Sequence, residues 1–566
     1  MKKFKHYKLS AVLAACLGTS LVVATAQAGQ IDTDLQQAMQ TGADVDFIVQ
    51  FSDQLDLDSF PGKGKGKGMQ NSALLWALRD LADASQSDAV RLLRANGAKR
   101  LIQLWSINAL AVTASPAAIE ELAALPGVDS VRLDSSLSEP TPQAAAAATS
   151  EWNLDSIRAP DMWNAGFDGA GTVVASMDSG VDYQHPDLAA SWRGGANSWY
   201  DPNGEHPTPY DNTGHGTQSI SLMVGGSAGG SNIGVAPGAR WIAVKIFNNA
   251  GEASLSAIHQ GFQWLLDPDG NPGTNDSPDV VNNSWGYPST AGQCMDDFDA
   301  DMGVLKTAGI AVVFSAGNQG VQGSVSPADN PESFAVGSVD ASHNVASSSS
   351  LGPSACDGSF FPEVVAPGVN VRAADLTFGG MFPNSYASVS GTSFAAPHVA
   401  GTMALLRHAN PDASVAELEQ ALTDSAVDLG MFGADNVSGY GLIDAVAAND
   451  VLASDPGPTC SDADGDGFFA EAGCGTALDC NASDPNINPD ACDIKRDGID
   501  QDCDGRDRRK GQSCPVDGGG EDPAPDPDPI IGVEGKGKTC SDGIDNDLDG
   551  LLDCSDSDCD KNKVCK

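Results

Sequence analysis

Between residues 152 and 451, five short runs of mostly β-branched and apolar residues (172–177, 241–247, 280–283, 310–314 and 334–339) recur between stretches with helical spacing. A run that is apolar on both faces has no side to turn to water, so these runs predict parallel strands covered by helices on both faces, an α/β fold. In such sheets the residues that do chemistry sit on loops beyond the carboxyl ends of the strands. The 63 Gly and 32 Pro supply the turns this layout needs and argue against a coiled coil. With 566 residues the chain exceeds one such domain, so other units must flank it.

The N-terminus reads as an export signal. Lys2, Lys3, Lys5 and Lys8 precede an apolar run over 9–24 and the small-x-small triplet Ala26-Gln27-Ala28. The run is shorter than the ~20 apolar residues that span a bilayer, so residues 1–28 predict a secreted chain with no membrane span. Residues 29–148 follow as a small α+β unit and linker. Val45, Phe47, Val49 and Phe51 alternate, 73–93 has helical spacing, 101–112 reads as extended, Pro116 opens a second helix, and 131–133 closes the set. The Gly/Lys alternation over 62–68 reads as a loop, and the Ala-rich stretch 140–150 as an exposed connection open to proteolysis.

Three polar residues stand out in the predicted sheet domain, 149–455. Asp178 ends Val173-Val-Ala-Ser-Met-Asp, His215 lies in Asn212-Thr-Gly-His-Gly-Thr, and Ser393 lies in Gly391-Thr-Ser-Phe-Ala-Ala-Pro-His. A serine hydroxyl is a weak nucleophile at neutral pH unless an imidazole takes its proton and later returns it to the leaving amine. A buried carboxylate holds that imidazole in the right tautomer and stabilises the imidazolium. Ser393 precedes an apolar stretch that reads as a helix, which places its hydroxyl at the positive end of a helix dipole.

With these motifs the chain resembles the subtilase (subtilisin-like) serine peptidases, most closely the bacillopeptidase F-like group. The order Asp, His, Ser is the known subtilisin order, so it is recognised rather than derived. The resemblance implies a catalytic triad of Asp178, His215 and Ser393. It also implies an oxyanion donor, Asn318, in Phe314-Ser-Ala-Gly-Asn-Gln-Gly, with the Ser393 N–H as second donor. Ser284, Trp285 and Gly286 then pair with bound peptide, and Ser315, Ala316 and Gly317 complete the substrate site. Residues 218–221, Gln-Ser-Ile-Ser, depart from the His-Val-Ala-Gly that the family commonly has after the catalytic His-Gly-Thr, a difference that bears on packing. Asp187 matches a calcium ligand of many subtilases, but the facing loop 225–232 is rich in Gly and Ser where the family usually places an Asn, which leaves calcium in this domain open. The α+β unit resembles an inhibitor-type propeptide, a partner carried by the chain itself.

After the signal, 12 of the 13 cysteines remain, and ten crowd between 460 and 565. They fall as six and four on either side of a Pro/Gly/Asp linker, 518–538, so 456–517 and 539–566 read as two modules stapled by disulfides whose connectivity stays open. Residues 497–505 and 542–550 are identical at 7 of 9 positions, and 462–467 repeats the Asp-x-Asp-x-Asp-Gly theme. Alternate carboxylates followed by Gly wrap a hard cation. Asp462, Asp464 and Asp466, then Asp500, Asp502 and Asp504, then Asp545, Asp547 and Asp549 are therefore expected calcium ligands, structural rather than catalytic.

Charge narrows the function. With 31 Lys and Arg against 76 Asp and Glu, the net charge of −45 disfavours nucleic acid and anionic lipid, whose binding needs cationic side chains. The expectation is a secreted, monomeric serine endopeptidase made as a zymogen, acting on protein or peptide substrates, with attachment to the cell surface left open. The rival reading is a calcium-dependent surface or matrix binding protein on an inactive peptidase scaffold. No residue that catalysis requires is missing, which favours the enzyme.

Overall fold

The computed structural model describes residues 29–57, 60, 69–140, 143–144 and 151–454, with seven further positions from 468 to 503. The predicted signal, the Gly/Lys run, the nine predicted calcium-ligating aspartates and the linker lie outside the described residues. The chain divides into two compact units, Met1–Asp455 and Pro456–Lys566, and every element named here belongs to the first.

Its N-terminal part contains β1 (Gln30–Ile31), α1 (Thr33–Met39), β2 (Val45–Phe51), α2 (Met69–Ala95), β3 (Arg100–Leu104), β4 (Ala109–Ala114), α3 (Pro116–Ala123) and β5 (Val128–Leu133). The strands form one sheet in the order β1-β5-β2-β4-β3. Alternation along β2 divides its side chains between two cores. Phe47 and Val49 pack with Leu110, Val112, Ile119 and Leu122. Ile48, with Leu74, Leu75 and Leu78 of α2, faces a different cluster. The stretch 101–112 is not one extended segment. It folds back as the antiparallel pair β3–β4 around a single 3-10 turn, Trp105–Ile107, and Asn108 at φ 48°. Asparagine tolerates the left-handed region, and the Asn108 side-chain N–H bonds the Asp53 carbonyl at 2.6 Å. No Gly or Pro marks this turn, so periodicity alone ran through it.

Two short strands lead out of this part, β6 (Ser136–Ser138) and β7 (Gln143–Ala144). The larger part follows with α4 (Trp152–Ser156), α5 (Ala159–Asn164), β8 (Val173–Asp178), α6 (Pro186–Ala189), β9 (Trp199–Tyr200), α7 (His215–Val224), β10 (Arg240–Lys245), β11 (Glu252–Ser254), α8 (Leu255–Leu266) and β12 (Val280–Asn283). Then come α9 (Asp299–Thr307), β13 (Ala311–Ser315), β14 (Phe334–Val339), β15 (Val364–Pro367), β16 (Val369–Ala374), β17 (Tyr386–Ser390), α10 (Thr392–Ala409), α11 (Val415–Asp424) and α12 (Ala445–Ser454). Seven strands form a parallel sheet in the order β15-β14-β13-β12-β8-β10-β9, as the expected α/β fold requires. The five predicted strands lie within it, and β9 and β15 extend its edges.

Strand succession leaves β8 in one direction toward β10 and in the other from β12 to β15, so the order reverses between β8 and β12. At such a reversal the loops after the two strands part, and a crevice opens at their carboxyl ends. Helix α10 packs behind the crevice with every residue from Thr392 to Arg407 buried. Its small residues set that close approach: a Cβ at Gly401 would lie 2.7 Å from Val235 Cβ, well inside contact. Helix α7 forms fully buried despite the Gln-Ser-Ile-Ser departure. Two of its polar side chains reach neighbouring segments, with Gln218 Nε2 donating to Asp375 Oδ1 at 3.2 Å and the Ala374 N–H donating to Ser221 Oγ at 3.0 Å, whereas the Ser219 hydroxyl is buried without a partner among the described residues. Cys294 and Cys356 form a disulfide.

Candidate active site

The crevice gathers Asp178, His215, Ser284, Ser393 and Asn318 from five separate segments. Asp178 ends β8 and is 1% exposed. His215 opens α7, after Gly214 at φ 97°. That helix start is held by Asp211, whose Oδ2 accepts the Thr217 N–H and hydroxyl at 2.9 and 2.6 Å, while Oδ1 accepts the Gly214 N–H at 3.0 Å. His215 Nδ1 then lies 2.7 Å from Asp178 Oδ1. Burial works against an imidazolium here, but the Asp178 carboxylate outweighs it, aided by Glu139 and Asp211, and the His215 pKa is raised above its ordinary value.

Ser393 stands in the first turn of α10, where backbone N–H groups have no intrahelical acceptor. Its hydroxyl donates to the Ser284 carbonyl at 3.4 Å, and its own carbonyl accepts from Ser284 Oγ at 2.8 Å. Asn318 follows β13 and is anchored by its oxygen: Oδ1 accepts the Thr392 N–H and hydroxyl at 3.0 and 3.2 Å. The amide oxygen being used in this way, the Asn318 NH2 is left to act as a donor beside the Ser393 turn.

Ser284, Trp285, Gly286, Ser315 and Gly317 line this cleft. Ala316 does not, contrary to expectation. It is fully buried and its N–H bonds the Val336 carbonyl, so it forms the layer beneath. Gly286 is needed bare, because a Cβ there would lie 2.8 Å from the Ser326 carbonyl oxygen.

Residues the sequence reading did not single out also occupy the cleft. Strand β6 lies antiparallel to β11, pairing Ser138 with Glu252 and Leu137 with Ala253, and Glu139 continues the ladder through its N–H to the Gly251 carbonyl at 2.8 Å. Leu137 is 5% exposed within the larger part's core, a burial worth about 1.5–3 kcal/mol. Pro140 lines the cleft beside Ser393, and the Glu139 carboxylate accepts from the Thr213 hydroxyl. Burial chiefly, and the nearby Asp178 charge, push the Glu139 carboxyl up, with Thr213 opposing. The N-terminal part is further bonded to the larger one by Arg132 to Asp297 and to His259 Nε2, the latter at 2.9 Å, and by Arg79 to Asp267. Asp134 reaches across to accept the Ser256 N–H at the start of α8 at 2.9 Å. A lone leucine and glutamate after a strand carry no periodic signal, which is why β6 escaped the sequence reading.

This fold and constellation define the class of serine-type endopeptidases. Residues 169–441 match the Subtilase family. The chain is 35% identical to Bacillopeptidase F of Bacillus subtilis (strain 168) over 74% of this chain and 32% of that protein. It is 34% identical to the Alkaline protease of Alkalihalobacillus alcalophilus over 62% of this chain and 81% of that protein, and 31% identical to the M-protease of Shouchella clausii (strain KSM-K16) over 76% and 97%. The chain belongs to the subtilase family.

Proposed function

We propose that this protein is a secreted serine endopeptidase made as a zymogen, in which Ser393 attacks the scissile carbonyl, His215 moves the proton and Asp178 orients and stabilises the imidazole. The 2.7 Å contact between His215 Nδ1 and Asp178 Oδ1, both buried, carries this reading. Attack gives a tetrahedral oxyanion, which the Asn318 amide and the Ser393 N–H receive, and its collapse leaves an acyl-enzyme that water then cleaves. A hydrogen bond to a charged group contributes about 1.5–3 kcal/mol, against about 0.3–1 for a helix dipole, so the two donors rather than α10 dominate. Substrate backbone pairs with β11 on one side and 284–286 on the other, which reads extended chains and leaves selectivity to the pockets.

In the precursor, residues 29–148 act as the inhibitory partner. Strand β6 takes the non-primed half of the substrate track, and its burial of Leu137 holds it there. Export is supported by the N-terminal signal pattern, and among the described residues no helix is long and apolar enough to cross a membrane.

Glu139 tunes the first turnover. Catalysis needs neutral His215, and the Glu139 charge favours the protonated form, so Glu139→Gln should move the acid limb of self-cleavage to lower pH. Once the N-terminal part has left, the two enzymes should have identical pH profiles. Rates of precursor loss on gels across pH measure this, and an unchanged or upward-shifted limb rejects the coupling.

Calcium in the tail rests on the repeated Asp-x-Asp-x-Asp-Gly pattern. Carboxylates at that density repel one another unless a cation neutralises them. Chelator should therefore make 456–566 the first region cut by added protease. Calorimetry of the full chain that detects no calcium binding would reject the tail sites.

A further inference from the structure

Asp187, in α6, stands where the family motif places a calcium ligand, and the groups around it do not suit an ion. A cation needs lone pairs aimed at it from several oxygens. Asp187 instead has donors on both oxygens: the Ala228 N–H at 2.5 Å on Oδ1 and the Tyr386 hydroxyl at 2.6 Å on Oδ2. The residue is 4% exposed, and each of its oxygens is already engaged by a protein donor.

A positive charge is nonetheless present. Arg372, from β16, donates through Nη1 to Glu151 Oε1 at 2.8 Å and to Ser231 Oγ at 3.3 Å, and through Nη2 to the Gly229 carbonyl at 3.4 Å. Its guanidinium carbon lies 4.0 Å from the centre of the Tyr386 ring, whose hydroxyl is the group on Asp187. The loop has to be bare to close over this group. A Cβ at Gly229 would stand 2.3 Å from Arg372 Nη2 and 2.5 Å from the Tyr386 hydroxyl. Glu151 Oε2 has no hydrogen-bond partner, but its carboxylate already faces the guanidinium.

We infer that Arg372 replaces the structural calcium of this region. The guanidinium ties three segments together: Glu151 before α4, the 225–232 loop after α7, and the hairpin of β16 and β17. An arginine side chain is permanently charged and covalently held, so this clamp has no dissociation equilibrium and does not depend on the calcium concentration. The peptidase domain then keeps its stability in calcium-poor surroundings whatever the tail binds.

Tryptophan fluorescence tests this in the full chain, because all nine Trp lie between 76 and 285 and none is in the tail. The Ser393→Ala background removes self-digestion and any dependence on peptidase activity. Thermal midpoints in excess calcium and in excess chelator should agree within about 2 °C, and Arg372→Met should lower both by about 3–6 °C. A chelator-induced drop that Asp187→Asn abolishes, or an Arg372→Met midpoint equal to the parent in both buffers, overturns the assignment.

Discussion

Ser393→Ala should leave the protein as an uncut precursor with no measurable peptidase activity, whereas the wild type should begin at a residue between Pro140 and Glu151. The variant removes the nucleophile and leaves the sheet, the His215–Asp178 contact and the docked N-terminal part intact, so it should fold. In a subtilisin, loss of the serine costs about 10⁶ in kcat, and a comparable loss here makes self-cleavage undetectable. N-terminal sequencing of secreted protein and hydrolysis of casein read the two outcomes. The strand pairing supports the location of the cut: residues 136–139 lie along β11, Pro140 reaches the cleft, and Gln143–Ala144 pairs with β17. A Ser393→Ala protein that matures and hydrolyses casein like the wild type, or a wild type that starts at Gly29 and is fully active, would overturn the zymogen reading.

Asn318→Ala should slow turnover by about 10²–10³, the magnitude that removing one oxyanion donor costs in a subtilisin, with KM nearly unchanged. The split between kcat and KM follows from when the bond forms. Charge on the oxygen develops only in the transition state, so the ground-state complex hardly uses the donor. This structure adds a second variant. Asn318 is aimed by Thr392, which donates its hydroxyl to Oδ1 and accepts the Gly317 N–H on the same oxygen at 3.1 Å. Thr392→Val should therefore lose part of kcat, again at constant KM, because the amide is then less firmly oriented. A rise in KM without a fall in kcat for Asn318→Ala would place this residue in ground-state binding instead.

Much of this was legible in the chain. Apolar, β-branched runs predicted the five inner strands because a strand buried on both faces tolerates little else, and the motifs around Asp178, His215 and Ser393 were legible through their resemblance to a known family. The supporting groups were not. Asp211 precedes His215 by four residues and looks like any turn aspartate, yet it anchors the helix that aims the imidazole. Asn108 hides a reversal of direction inside a stretch of strand-forming residues. Leu137 and Glu139 have no local pattern because their partners, Ala253, Gly251 and Thr213, are distant in sequence.

Asp187 marks the dividing line. Its motif pointed to calcium, and the neighbouring loop could say only that an expected ligand was absent. Whether an ion or a side chain supplies the positive charge depends on where β16 and β17 bring Arg372 and Tyr386, almost 200 residues away. Sequence by itself determined the alternation of strands and helices and the kinds of chemistry at their ends, because periodicity and local motif residues act over a few positions. Tertiary structure alone decided which charges meet, since a hydrogen bond or ion pair requires contact within about 3–4 Å and only the folded chain sets such distances.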